Sequence, residues 1–577
     1  MTHAERATKY ARDVKAGRIQ ACRLVKLACV RHLDDLRASK SKAFPYRYDV
    51  ASANRVCEFV ELMPHVKGRW AARHERIRLE DWQCFMVCVP FGWVRKADGK
   101  RRYRRVYVEV PRKNGKSVIT GALGLYMFAA DGDHGAEVYS GAGSEKQAWE
   151  VFGPARLMAK GTPDFVSAFG VDVNAKNLNI LATASKFEPI IGKPGDGASP
   201  SFSITDEYHE HATDEQYDTM VTGMGAREQP MAWVITTAGS DTSGPCYALR
   251  AEVLNVLEGK VENDTLFGII YGVDEGDDWT DPAALRKANP NFGVSVFEDY
   301  LLGQQRDAIN EPRKQSTFKT KHLNVWVTAA APYFNAEKWN RLADPSLSME
   351  DFVGEGCFKG LDLASKIDLT TNVTVFTRTE DDGERHYYAF LRAYIPKART
   401  EAPECRHYAE WVTKGCLTAT PGDITDYAYI EGDVKSDTER FSVVQVGVDP
   451  YNATYLITRM QDFLGTEHVI EVPMTVQNLS EPMKEIQAMI EAGRIHHDGN
   501  PVFAWGIGNV TAQEDRNANV FPRKERPENK IDPAVALILA MGRAIHGEEA
   551  AVPQVLLFAD SAPAAVDTFL GDDEPWM

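Results

Sequence analysis

Hydrophobic and polar positions change period several times along this chain, and each change predicts an element. From Ala11 to Leu36 apolar residues recur at helical spacing (Val14, Ile19, Ala21, Leu24, Val25, Ala28, Val30, Leu33), and Asn54 to Met63 repeats the pattern until Pro64 closes it. At Val106-Tyr107-Val108-Glu109-Val110 the period drops to two, which predicts a strand; a polar turn follows, and Val118-Ile119-Thr120-Gly121-Ala122-Leu123 opens a helix. Glu137 to Ala142 reads as a second strand, and Ser144 caps a helix running through Gln147, Trp149 and Val151. Further strands are predicted from Ser201, ending in Asp206-Glu207, and from Met231, ending in Thr236-Thr237-Ala238-Gly239. Strands alternating with helices predict an α/β fold with a parallel sheet and crossover helices.

Residues 241–330 read as mostly helical, a subdomain rather than another sheet, with Ala329-Ala330-Ala331-Pro332 as a boundary. A second α/β unit then opens at Phe358-Lys359-Gly360-Leu361-Asp362-Leu363-Ala364-Ser365. Asn372 to Phe376 is an alternating strand, as in a hairpin, and Val443 to Val448 is a buried strand. Asp532 stands in the first turn of a helix continuing to Ile545. The Ala/Pro/Asp-rich tail from Glu548 to Met577 reads as flexible. The division is thus 1–75 (helical), 76–240 (first α/β core), 241–330 (helical subdomain and linker), 331–548 (second α/β domain) and 549–577 (tail).

Composition changes this picture little. With 577 residues, 44 % hydrophobic and 26 % charged, the chain is an ordinary multidomain globular protein. No apolar run approaches 18 residues and no signal-peptide core opens the chain, so neither a membrane span nor secretion is expected. Nine scattered cysteines without a C-x-x-C pair read as buried thiols in a reducing compartment. The net charge of −16 hides an asymmetry. Residues 1–115 hold 27 Lys+Arg against 12 Asp+Glu (+15), and the remainder 39 against 70 (−31), so one face is open to a polyanionic partner.

The candidate chemistry lies at strand ends. Arg112-Lys113-Asn114-Gly115-Lys116-Ser117, between the first strand and its helix, has the phosphate-binding end of a P-loop. Gly115 lets backbone amides converge on phosphate, Lys116 reaches the β/γ oxygens, and Ser117 can ligate magnesium. Val110 stands where the consensus has its first glycine. Asp206-Glu207 closes a short strand as in a Walker B motif: Asp206 would hold the magnesium shell and Glu207 would activate the attacking water. Thr236 and Thr237 end a further strand, where small hydroxyls can sense the γ-phosphate. Trp82-Gln83 is placed to hold adenine, or is a core Trp beside an exposed Gln. Arg112 and Arg227 are candidates for stabilising transition-state charge. Downstream, Asp362, Asp449 and Asp532 come from a first strand, a later strand and a C-terminal helix, the order of an RNase H-like site. Such carboxylates repel one another until divalent cations bind, and two ions can drive phosphodiester cleavage. Asp368 is a candidate fourth member.

Together with Arg31-His32-Leu33-Asp34-Asp35-Leu36, Ile235-Thr236-Thr237-Ala238-Gly239, Ala288-Asn289-Pro290-Asn291, Leu323-Asn324-Val325-Trp326 and Asp515-Arg516-Asn517, these motifs make the chain resemble the large terminase subunit of tailed double-stranded DNA bacteriophages over roughly residues 5–548. The resemblance implies a P-loop additional-strand ATPase with helical N-terminal and lid parts, followed by an RNase H-like α/β nuclease domain. It implies ATP with Mg²⁺ at the first site, bound by Trp82, Gln83, Arg112 to Ser117, Asp206, Thr236 and Thr237. At the second it implies two divalent metals, Mg²⁺ or Mn²⁺. The implied partners are double-stranded DNA, the portal protein of a prohead, a small terminase subunit, and further copies in a ring (a pentamer); the place is the host cytoplasm, docked on the prohead, with no membrane. An arginine acting on the neighbouring subunit's ATP is also implied, with Arg227 and Arg156 as candidates. A helicase or restriction-type translocase is the alternative, although no arginine-rich helicase motif follows the Thr-Thr-Ala-Gly strand.

Overall fold

In the computed structural model, which describes residues 1–191, 197–242, 244–327, 332–363, 368–401, 406–451, 453–525 and 529–546, the helical run expected from Ala11 to Leu36 is two helices. These are α1 (His3–Lys15) and α2 (Arg23–Ala38). Gly17 separates them at φ +74°, a left-handed conformation that ends a helix and that glycine adopts without steric cost. Thr2 and Glu5 form a capping box at the start of α1. Helix α3 (Val50–Leu62) is capped by Asp49, and α4 (Asp81–Gly92) is buried along nearly its whole length. These helices share one hydrophobic core with the sheet that follows.

That sheet contains β1 (Arg105–Glu109), β2 (Glu137–Ala142), β3 (Val171–Val173), β4 (Leu178–Ile180), β5 (Ser185–Ile191), β6 (Phe202–Asp206), β7 (Met231–Thr236) and β8 (Leu266–Ile270). Their spatial order is β8-β1-β7-β6-β2-β5-β4-β3, parallel from β8 to β5. Strand β7 therefore stands between the P-loop strand β1 and the Asp206-Glu207 strand β6, which is the additional-strand arrangement. Parallel pairing brings the carboxyl ends of β1, β7 and β6 to one edge, where ligands bind in open α/β sheets. Helices α5 (Lys116–Ala129) and α6 (Glu145–Lys160) are the expected crossovers, α6 capped by Ser144.

The stretch expected to be mostly helical, with no further sheet strand, contains β8, hydrogen-bonded to β1. A five-residue apolar run has no period that separates a buried strand from a helix segment. Helix α7 (Pro245–Leu257) lies so close to β8 that a Cβ on Gly268 would stand 2.2 Å from Val253. Beyond it, α8 (Pro282–Ala288), α9 (Glu298–Asn310) and α10 (Pro312–His322) enclose a small core of their own around Leu285, Leu301 and Phe318.

The second sheet contains β9 (Gly356–Asp362), β10 (Thr370–Thr379), β11 (Arg385–Pro396), β12 (Thr418–Thr420), β13 (Ser442–Val448) and β14 (Val469–Glu471). The order β12-β11-β10-β9-β13-β14, with β9–β11 antiparallel and β13 and β14 parallel to β9, is RNase H-like. Helices α11 (Val476–Ala492) and α12 (Asp532–His546) pack with this sheet in one core. The paired glycines Gly360 and Gly447 set the approach of α12: a Cβ on Gly360 would be 1.9 Å from the Ala536 carbonyl, and one on Gly447 3.2 Å from that of Leu539. Gly360→Ala is expected to destabilise the domain by about 3 kcal/mol or more through overpacking against backbone, and Gly447→Ala by clearly less. Denaturant unfolding of both variants checks this; equal, small losses would mean that α12 can slide.

Among the described residues, no helix is long and apolar enough to cross a membrane, and the eight described cysteines are free thiols, seven of them buried. The expected tail, the Ala329–Ala331 boundary and Ala364-Ser365 lie outside the described residues.

Candidate active sites

The P-loop is held open by backbone geometry and side chains together. Gly115 is the N-cap of α5 at φ +85°, and Lys113 takes φ +70°, a conformation that costs a non-glycine residue about 1–2 kcal/mol. The surroundings hold it there. Asn114 is fully buried and donates to the Pro111 carbonyl (3.0 Å) and to Asn289 Oδ1 (3.0 Å). It accepts from the Asn291 amide (3.0 Å), while Ser295 donates to the Lys113 carbonyl (2.7 Å). The Asn289-Pro290-Asn291 turn thus clamps the loop, a role that a short polar turn 175 residues away does not announce in sequence.

The loop borders a cleft of about 830 Å³ lined by Arg112, Lys113, Gly115, Lys116, Ser117, Gln83, Asp206 and Glu207 among others. Lys116 Nζ is buried without a hydrogen-bond partner and faces Glu207 Oε1 at 3.3 Å; Glu207 Oε2 is likewise without one. Burial and then the charge of Glu207 push Asp206 up to about 7. Glu207 is also desolvated, but the ammonium of Lys116, with His209 and Arg112, outweighs this and holds its carboxyl below the usual range. Glu207 stands at φ +45°, its amide donating to Asp206 Oδ1 (2.8 Å). An anhydride phosphate would satisfy Lys116, and a cation would relieve Asp206, so the residues present fit a metal–nucleotide pair.

The other sequence candidates divide. Gln83 lines the cleft, its side chain next to Gly115. Trp82 does not: it is buried behind the loop, donating Nε1 to Asn291 Oδ1 (2.6 Å), and so supports the clamp. Thr236 and Thr237 are fully buried at the end of β7; Thr236 Oγ1 accepts from the His209 amide (3.1 Å), and Thr237 Oγ1 has no partner. Arg227 lies at the opposite edge of the sheet, donating to the carbonyls of Ser199 (2.8 Å) and Gly135 (2.8 Å), and Arg156 donates to the Asn174 carbonyl (2.5 Å). Neither reaches the cleft of its own chain.

The second site forms where β9 and β13 end. Their register pairs Leu361 with Val448, which brings Asp362 and Asp449 to the same edge, and α12 starts there with Asp532. Burial, then the charges of Asp532, Asp449 and Asp368, raise Asp362 well above the carboxylate range. Burial and Asp368 push Asp532 up to about 6, and burial raises Asp449. Asp368 is partly neutralised by Lys530 (2.6 Å), and Lys524, on the strand Val520–Lys524, exerts an opposing field on Asp362. These two lysines were not legible as site residues, since each is an isolated cation in a polar stretch. Among the described residues no three side chains converge tightly enough to complete a metal site. The donor set is nevertheless that of hard divalent cations, and its unrelieved repulsion is the state such ions would correct.

A P-loop fold with an additional strand, joined to an RNase H-like domain with grouped, half-buried carboxylates, defines a nucleotide-driven enzyme with an attached nuclease. Two family descriptions match: "Terminase large subunit, ATPase domain" over residues 81–254 and "Terminase large subunit, endonuclease domain" over residues 260–548. The chain belongs to the terminase large-subunit family, and is an ATPase and an endonuclease that uses nucleotide and divalent metal; DNA packaging is the family's known role. It is 48 % identical over 367 residues to the protein YmfN of Escherichia coli K12, covering 62 % of this chain and 80 % of that one. It is 24 % identical over 453 residues to the large terminase subunit of Enterobacteria phage HK97, covering 76 % of this chain and 86 % of the relative. The crystal structure of the HK97 large terminase aligns over 85 % of this chain and 99 % of its own, with 22 % identity and a TM-score of 0.42.

Proposed function

We propose that the chain is an ATP-driven motor that moves double-stranded viral DNA through a portal into a prohead and cuts the concatemer with its second domain. The observation that carries the motor reading is that Lys116 Nζ and Glu207 Oε2, in one cleft, are both buried without a hydrogen bond, Lys116 being held, among the described residues, only by its ion pair with Glu207 Oε1. Lys116 and the P-loop amides bind the phosphates, Ser117 and Asp206 hold Mg²⁺, and Glu207 polarises the attacking water. Arg112, on the same wall, supports developing charge, and Thr236 and Thr237 link the site to β7. In the second domain Asp362, Asp449 and Asp532 hold two divalent ions, Mg²⁺ or Mn²⁺, which when bound supply water activation and stabilisation of the leaving oxygen. The partners in this reading are the portal, a small subunit and further copies in a pentameric ring, in the host cytoplasm. The engaged guanidinium of Arg227 favours a structural role for it, and the trans-acting arginine is better sought elsewhere.

The test is packaging of DNA into purified proheads with the full-length chain. Lys116→Ala is expected to abolish DNA uptake and ATP hydrolysis, and Asp449→Ala to package without cutting. Uptake by Lys116→Ala, or intact cutting by Asp449→Ala, would refute the respective assignment.

A further inference from the structure

His209, two residues beyond Glu207, is 5 % exposed and stands at a junction that the roles above leave unused. Its Nδ1 lies between two oxygens, 3.0 Å from Thr236 Oγ1 and 3.2 Å from Glu207 Oε2. Only the contact with Thr236 has hydrogen-bond geometry, and Glu207 Oε2 is left buried without a hydrogen bond. On the far side of the ring, Nε2 lies 3.2 Å from Lys321 Nζ at the end of α10, and 3.2 Å from Glu210 Oε1. Lys321 also accepts from the Arg112 amide through its carbonyl (3.0 Å), so α10 is tied to the P-loop at the same point. A single imidazole thereby touches the proposed base, the end of β7 and the helical subdomain.

One proton on Nδ1 cannot serve both oxygens fully. While Glu207 is drawn to Lys116, its Oε2 has no donor and Nδ1 serves Thr236. Once phosphates engage Lys116, that attraction weakens, and the nearest available donor for the carboxylate is Nδ1. Leaving a buried carboxylate oxygen unpaired costs more than leaving a neutral hydroxyl without that donor, which favours moving the ring hydrogen bond.

We propose that His209 is a positioning residue that exchanges its Nδ1 hydrogen bond between Thr236 and Glu207, orienting Glu207 for water attack while passing the nucleotide state to β7 and, through Nε2, to Lys321 of the helical subdomain. This rests on the reading of Glu207 as the base, and the arms of the test keep the two apart.

An asparagine amide can stand where Nδ1 stands, and a glutamine amide where Nε2 stands, so the two contacts can be kept separately. In the full-length chain, His209→Ala should bind a fluorescent ATP analogue within about twofold of the parent while its kcat falls about tenfold, a loss confined to the transition state. His209→Asn should recover most of kcat but package less DNA per ATP hydrolysed, and His209→Gln should hydrolyse as slowly as His209→Ala. Parental kcat in His209→Ala overturns the proposal. So do equal losses in the Asn, Gln and Ala variants, or a loss of nucleotide binding that parallels kcat, because either means that the ring only fills space. Glu207→Gln is run alongside: if it hydrolyses normally the base assignment fails, whereas normal His209 variants beside an inactive Glu207→Gln remove only the role of His209.

Discussion

Glu207→Gln is expected to bind ATP at least as tightly as the parent chain and to hydrolyse it about a hundredfold or more slowly, the range for loss of a general base. The amide is isosteric, so the backbone at φ +45° and the hydrogen bond from its N–H to Asp206 are kept. What disappears is the negative charge that Lys116 faces at 3.3 Å. The ammonium then has no competitor to phosphate, which is why binding holds or tightens while turnover fails. Equilibrium binding and single-turnover hydrolysis, measured on one preparation, separate the two effects. Undiminished hydrolysis would remove Glu207 as the base and move attention to Glu210, whose carboxyl His209 holds down at about 2.

Asp362→Asn is expected to lower metal-dependent DNA cleavage about a thousandfold or more, as loss of charge stabilisation at a reacting centre does, and to leave ATP hydrolysis unchanged. A second consequence follows from the electrostatics. Asp362, half-buried, faces Asp532, Asp449 and Asp368, and desolvation and their repulsion show in its raised pKa. Without divalent ions this charge opposes folding; with them it becomes a ligand. The parent chain should therefore melt higher as Mn²⁺ is added, by about 2.7 kcal/mol of stabilisation at a hundred times the dissociation constant. Asp362→Asn should be more stable than the parent in chelator and should gain much less from Mn²⁺. An Asn variant that keeps the full metal-dependent shift would show that the ions bind elsewhere.

The local signals carried far in this chain. Alternation from Val106 to Val110 followed by Gly-Lys-Ser requires a strand, a tight turn and a helix, and those rules act over a dozen residues. The same holds for Asp206-Glu207 at the end of β6, for the Ser144 cap, and for Asp532 in the first turn of its helix. Each depends on neighbours in sequence, so each could be read there. Trp82 shows the limit: beside Gln83 and upstream of a P-loop it read as an adenine contact or a core Trp, and the sequence could not show that its buried indole donates to Asn291, 209 residues away.

What the sequence alone determined is the elements that flank the two sites, their order, and which residues could hold phosphate or metal, because propensity, capping and turn chemistry are local. The tertiary structure decided the rest. It inserted β8 beside β1 from a stretch that read as helical, since a buried apolar pentad takes its conformation from the sheet it joins. It brought the Asn289–Asn291 turn onto the P-loop and Lys321 onto His209, because a hydrogen bond between distant segments leaves no periodic trace in either. It also separated Arg227 from the cleft, since which end of a parallel sheet a loop occupies is fixed by strand direction and not by residue type.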